Sequence, residues 1–160
     1  MIRALPYTND QPHLVKIEQH MDNRGVFTEV FSPYLPYLVD FSRPSEGLFI
    51  KQVMVSMSYS GVIRGMHSHS TQWDFWYLLN GSIWVQTYYV GKESINEYHH
   101  EFFLNGNNGQ ILIIPPGHAH GYKTLGNKPC TMLYGVSEPY DRGNPDEIKH
   151  GETMDGLITW

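Results

Sequence analysis

The apolar residues of this chain fall in short alternating or continuous runs, and no long stretch carries the three-to-four-residue spacing of an amphipathic helix. His13 to Glu18 (HLVKIE) alternates as a short strand does. After the turn formers Asp22, Asn23, Arg24 and Gly25, the run Val26 to Phe31 alternates again, with Phe27, Glu29 and Phe31 on one face. Pro33, Pro36 and Pro44 break residues 32–47 into a loop. Leu48 to Ser58 (LFIKQVMVSMS) reads as a long central strand. Ser82 to Val90, Tyr98 to Leu104 and Cys130 to Val136 read as further strands, and Asn105 to Gly109 (NGNNG) as a turn. Glu138 to Trp160 mixes charge with Pro139, Pro145, Gly143, Gly151 and Gly156 and is expected to wrap the surface. Many short strands without an internal repeat predict an all-β sandwich or barrel.

Two stretches carry chemistry. Gly61 to Gly81 (GVIRGMHSHSTQWDFWYLLNG) gathers Arg64, His67, His69, Gln72 and Asp74, and in an extended segment His67 and His69 project to one side. Gly109 to Tyr122 (GQILIIPPGHAHGY) is an apolar strand ending in a proline-glycine turn, followed by His120. If one antiparallel sheet carries both stretches, closing it into a barrel brings the three imidazoles to a common interior. His67, His69, Asp74 and His120 form a set that suits Zn, Fe, Mn or Ni by ligand type. The same side chains also suit a hydrogen-bonded polar core, in which Asp74 orients an imidazole. Tyr134, in an apolar run, reads by itself as packing. His99 and His100 lie in a charged run and are expected to be solvated. The aromatic excess around Trp73, Phe75, Trp76, Tyr77, Trp84, Tyr88 and Tyr89 is expected to fill the barrel core and a dimer surface.

Length and charge narrow the field. The chain has 160 residues, 41% of them hydrophobic and 17% charged, so residues 1–160 are expected to form a single domain. A formal net charge of -5 argues against nucleic acid or an anionic membrane as a general partner and leaves any phosphate site local. A lone Cys130 forms no internal disulfide, and neither a signal peptide nor a bilayer-length apolar run is present. A cytoplasmic protein is expected.

Both chemistry-bearing stretches resemble the two cupin motifs. Gly61, His67, His69, Asp74 and Gly81 match the first, with Asp74 where Glu is usual. Gly109, Pro115, Gly117 and His120 match the second, with Thr124 where Asn is usual. The resemblance implies a cupin jelly-roll barrel. More of the chain, roughly residues 13 to 160, resembles the dTDP-4-dehydrorhamnose 3,5-epimerase family. Asp22, Arg24, Gly25, Phe27 and Glu29 match one element of that family. Gln52, Ser56, Ser58, Gly61, Val62, Arg64, Gly65 and His67 match a second; Pro115, Gly117, His120 and Gly121 a third; and Tyr134 and Tyr140 a pair of tyrosines.

By this resemblance the substrate is a nucleotide-linked 4-keto-6-deoxy sugar and no cofactor is needed. A general base removes the proton next to the ketone, and an acid returns one to the opposite face at C3, C5 or both. His67 is implied as the base and Tyr134 as the acid. Arg64 is implied to hold the diphosphate, with Gln52, His69, His120 and Tyr140 also at the substrate. Arg24, Phe27 and Glu29 are implied to reach the nucleotide from a neighbouring subunit, so residues 1–47 would lie at a homodimer interface. Three departures stand out. Asp74 replaces a Lys that helps stabilise the enolate, Met54 replaces an Asn, and the family's Asp after the final Trp, which orients the base, is absent because the sequence ends at Trp160. A carboxylate repels a developing enolate. Three alternatives therefore stand beside epimerisation: keto-sugar isomerisation by the same base, a metal-dependent cupin using the three histidines and Asp74, and a sugar-nucleotide binding protein without catalysis.

Overall fold

The computed structural model describes residues 11–32, 50–91, 99–106 and 108–160. Residues 1–10, most of the expected loop over 32–47, Leu48 and Tyr98 lie outside that set. The described residues form twelve strands and no helix: β1 (His13–Lys16), β2 (Gln19–Asp22), β3 (Gly25–Thr28), β4 (Gln52–Ser58), β5 (Ile63–Ser68), β6 (Asp74–Asn80), β7 (Ser82–Tyr89), β8 (His99–Asn105), β9 (Gln110–Ile114), β10 (His118–Leu125), β11 (Cys130–Val136) and β12 (Ile148–Lys149). One antiparallel sheet runs β1-β9-β6-β11-β4 and a second β12-β5-β10-β7-β8, while β2 and β3 form a separate hairpin. This is the jelly-roll architecture expected of the sequence.

The continuous apolar runs of β6 and β9 have a direct cause, because both of their faces are covered. Trp76, Leu78, Leu112 and Ile114 point between the sheets and meet Ile83, Val85, Leu104 and Met132. The alternate residues Phe75, Tyr77, Ile111 and Ile113 point outward and are capped by Ile17, Val30 and Phe31 from the N-terminal segment. Covering is also the task of the tail. Met154, Ile158 and Trp160 pack on Met66, Tyr88 and Ala119 on the outer face of the second sheet.

Several boundaries differ from expectation. β3 ends at Thr28 because Val30 and Phe31 leave the hairpin to cover the first sheet. β4 begins at Gln52, with Lys51 already bonded to the Val136 carbonyl. β2 (QHMD) has no apolar alternation and exists through its pairing with β3. His99 and His100 are half-buried rather than solvated, since the His99 ring stacks on Tyr88 at 4.3 Å.

Strand pairing between β5 and β10 positions the site. His67 lies opposite His120 and Arg64 opposite Tyr122, so β5 carries one extra residue between the two pairs, a bulge. Backbone contact at this bulge is too close for side chains. A Cβ on Gly65 would sit 2.5 Å from the Gly121 Cα, and one on Gly121 would sit 2.7 Å from the Arg64 carbonyl oxygen. Gly121→Ala is therefore expected to destabilise the fold by about 1–3 kcal/mol, seen as a lower urea midpoint at unchanged slope.

Candidate active site

Between the two sheets opens a cavity of about 520 Å³. Its walls include Gln52, Arg64, His67, His69, Asp74, Tyr134 and Tyr140, all singled out from the sequence. His67 comes from β5 in one sheet and Tyr134 from β11 in the other, so the two face the cavity from different walls. His120 lies behind His67, with ring centroids 4.4 Å apart and the His120 side chain almost fully buried.

Backbone carbonyls fix the orientation of two imidazoles. A carbonyl oxygen only accepts, so His120 Nδ1 donates its hydrogen to the His118 oxygen at 2.9 Å, and His69 Nδ1 donates to the Asp146 oxygen. Both Nε2 lone pairs consequently face inward. Asp74 Oδ2 stands 3.7 Å from His69 Nε2 and 3.6 Å from His120 Nε2. Gln72 Nε2 approaches His69 Nε2 at 3.1 Å and donates to Asp74 Oδ1 at 3.3 Å.

Burial governs the charges here. It pushes the His67 imidazole down to about 4, reinforced by His69 and opposed by the Glu147 carboxylate, so the ring is neutral at neutral pH and its lone pair is available. Burial lowers His120 well below the usual histidine range, with His67 adding to the effect. It raises Asp74 to about 6, against the pull of His69 and Gln72. Tyr134 is raised by burial and then by Tyr122 and Asp74, which keeps the phenol protonated. At the rim, Arg64 Nε donates to Ser58 Oγ at 2.7 Å, and among the described residues no carboxylate pairs with its guanidinium. Gln52 Oε1 accepts from the Tyr140 amide at 2.9 Å.

Arg24, Phe27 and Glu29 are not part of this cavity within one chain. They belong to the exposed β2–β3 hairpin and the residue after it, where Arg24 is paired with Asp22 at 2.6 Å and Phe27 is 67% exposed. Asp155 sits exposed in a tail turn and does not line the cavity.

The tail contributes two groups that went unread in the sequence. β12 pairs Lys149 with His67 and Ile148 with Ser68, which brings Glu147 into the cavity wall. Asp146 accepts hydrogen bonds from the amides of Ser70, Thr71 and Gln72 and from the Thr71 hydroxyl, tying down the loop that carries His69. The only signal for either was an acidic pair after Pro145, and a two-residue strand has no periodicity to detect.

The barrel that holds this cavity has the jelly-roll fold of the cupin epimerases. Comparison with known proteins gives the family: residues 10–159 match "dTDP-4-dehydrorhamnose 3,5-epimerase", and the chain belongs to this family. It is a sugar-nucleotide epimerase, an enzyme of the isomerase class, and the family works without a cofactor. Over 133 residues the chain is 32% identical to the spore coat polysaccharide biosynthesis protein SpsL of Bacillus subtilis, covering 82% of each chain. It is 31% identical over 134 residues to the probable low-salt glycan biosynthesis epimerase Agl13 of Haloferax volcanii, covering 82% of this chain and 80% of that one. A dTDP-4-dehydrorhamnose 3,5-epimerase structure from Bacillus anthracis with TDP and PPi bound superimposes with a TM-score of 0.71 at 25% identity, over 89% of this chain and 80% of that one. Among the described residues no helix is long and apolar enough to cross a membrane.

The Asp146 anchor yields a pH-dependent prediction. Burial raises its pKa, but the hydrogen bonds from Ser70, Thr71 and Gln72 outweigh that and hold it well below the usual carboxylate range. A depressed native pKa contributes stability that is complete above the unfolded value, about 3.9, and is lost as pH falls toward the native one. Asp146→Asn should lower unfolding free energy at pH 7, and the gap from wild type should shrink below about pH 4 in parallel urea titrations.

Proposed function

We propose that the cavity epimerises a nucleotide-linked 4-keto-6-deoxy sugar at a carbon beside the ketone, with His67 as base and Tyr134 as acid. The observation that carries this reading is their placement on facing sheets around one cavity. His67 takes the proton from the carbon. The C–H electron pair forms a carbon–carbon double bond, and the carbonyl π pair moves onto oxygen as an enolate. Tyr134 then gives its proton to the opposite face of that carbon, inverting it, and both groups re-equilibrate with solvent. Burial supports each role, leaving the imidazole neutral and the phenol protonated.

Arg64, at the rim and free of a carboxylate partner among the described residues, binds the diphosphate. Gln52, His69 and Tyr140 complete the sugar site, and His120, which does not line the cavity, backs the His67 ring. The TDP in the Bacillus anthracis structure supports a thymidine nucleotide, and the polysaccharide and glycan roles of the two relatives support a surface polymer as the destination. The enzyme works in the cytoplasm as a homodimer. Val53, Val55 and Met57 form an exposed apolar row on edge strand β4, and Met21, Val26 and Phe27 are exposed on the hairpin. Covering these surfaces with a second copy would bring Arg24, Phe27 and Glu29 toward a partner's nucleotide.

Deuterium wash-in on dTDP-4-keto-6-deoxyglucose separates the two roles. His67→Asn should abolish both exchange and epimer formation, a loss on the order of 10²–10⁴-fold, whereas Tyr134→Phe should keep exchange and lose epimer. Exchange that persists undiminished in His67→Asn overturns the assignment. For the dimer, Val55→Asp is expected to reduce the mass measured by light scattering from that of two chains to that of one.

A further inference from the structure

Removing the proton beside a ketone puts negative charge on the ketone oxygen, and the base and the acid, both committed to the carbon, leave that charge unmet. A donor aimed at the oxygen is required. The Gln72 amide is already occupied by His69 and Asp74. Tyr122 lines the same cavity, and its hydroxyl is joined to the cation at the rim. Arg64 Nε donates to Ser58 Oγ at 2.7 Å, and Ser58 Oγ lies 2.8 Å from the Tyr122 hydroxyl oxygen.

We infer that the Tyr122 hydroxyl is a third catalytic group, which donates a hydrogen bond to the enolate oxygen, and that Ser58 and Arg64 position and polarise it.

The direction of the chain follows from its donors. A guanidinium only donates, so Ser58 Oγ accepts from Arg64. Ser58 is 2% exposed, and its own hydrogen is satisfied by donating to Tyr122; a bond in the other direction would strand that hydrogen in a buried site. Donation therefore runs from the cation through Ser58 to Tyr122, and the Tyr122 hydrogen is left to face the cavity. Bonds in series polarise one another, most strongly away from water.

The strands place this donor beside the base. His120 and Tyr122 stand two residues apart on β10, so both project between the sheets. Their partners on β5, His67 and Arg64, are three apart, and the extra residue of the bulge returns Arg64 to the cavity side. The two rows lie about 7 Å apart along the sheet. That is close to the span from a base, across an approach of about 3 Å to carbon and then a ketone, to a hydrogen bond of about 3 Å at its oxygen. The Tyr134 phenol, raised first by burial and then by Tyr122, is a neighbour from the opposite sheet.

This inference rests on the acid–base reading. As His67 takes the proton and the carbonyl π pair moves onto oxygen, Tyr122 shortens its hydrogen bond to that oxygen and keeps its own proton. The pair returns to the carbonyl when Tyr134 protonates the carbon.

Deuterium wash-in on dTDP-4-keto-6-deoxyglucose, resolved into kcat and KM, tests the role. Tyr122→Phe removes one oxygen and keeps the ring against Trp76, and circular dichroism checks the fold. Its kcat for wash-in should fall on the order of 10²–10³-fold, with KM within a few-fold and the ratio of epimer to exchange unchanged. Ser58→Ala keeps the phenol but cuts it from Arg64, and should lower kcat in the same direction by less. Full wash-in by folded Tyr122→Phe overturns the inference and leaves the base–acid reading standing. Retained exchange with lost epimer also overturns it, because Tyr122 would then be the acid. A loss carried by KM alone overturns it too, since the hydroxyl would then serve binding only. If Tyr122→Phe does not fold, Ser58→Ala decides, and an undiminished kcat there overturns the chain. Wild-type protein that washes in no deuterium sinks both readings.

Discussion

Two glycines in contact, Gly65 on β5 and Gly121 on β10, set the geometry on which the rest of the cavity depends. Their backbones approach more closely than any side chain allows, and the bulge there fixes His67 opposite His120. A slip of one residue would turn both imidazoles to the outer face, where Met66 and Ala119 now meet the tail. The tail responds to the same constraint. By pairing β12 with β5 it places Glu147 in the cavity wall and anchors the loop after β5 through Asp146.

A second constraint acts on charge. Asp74 lies at the start of β6, opposite Ile114 on one side and Val136 on the other, so it cannot withdraw to solvent without breaking a central strand. The Gln72 amide donates to Asp74 Oδ1 at 3.3 Å, and the Nε2 atoms of His69 and His120 lie 3.7 and 3.6 Å from Oδ2.

Much of this was legible in the sequence, for reasons that vary by element. Cys130–Val136 was read to the residue because β11 sits between two strands, and its ends are set by its own turns. His67 on β5 was found because spacing on a strand translates into a shared face, whereas Gln52 and Tyr134, on β4 and β11, and Arg64 on β5 were raised by the family resemblance. Arg24, Phe27 and Glu29 lie outside the cavity of one chain. Hairpin strand β2 and tail strand β12 escaped detection, because short polar strands owe their existence to partners distant in sequence rather than to any pattern of their own. Asp146 and Glu147 were missed for the same reason.

The central claim is that protons leave and return on different faces of one carbon, through groups held on opposing sheets. The most direct measurement follows the substrate's own hydrogen. A 4-keto nucleotide sugar carrying deuterium at the carbon to be inverted is converted by wild-type enzyme in ordinary water, and the product is read by NMR and mass spectrometry. Two separate groups predict an inverted carbon bearing only solvent hydrogen, since the proton taken by His67 never reaches Tyr134. Product that is inverted yet retains the original deuterium would require one group to serve both faces, and would contradict the account.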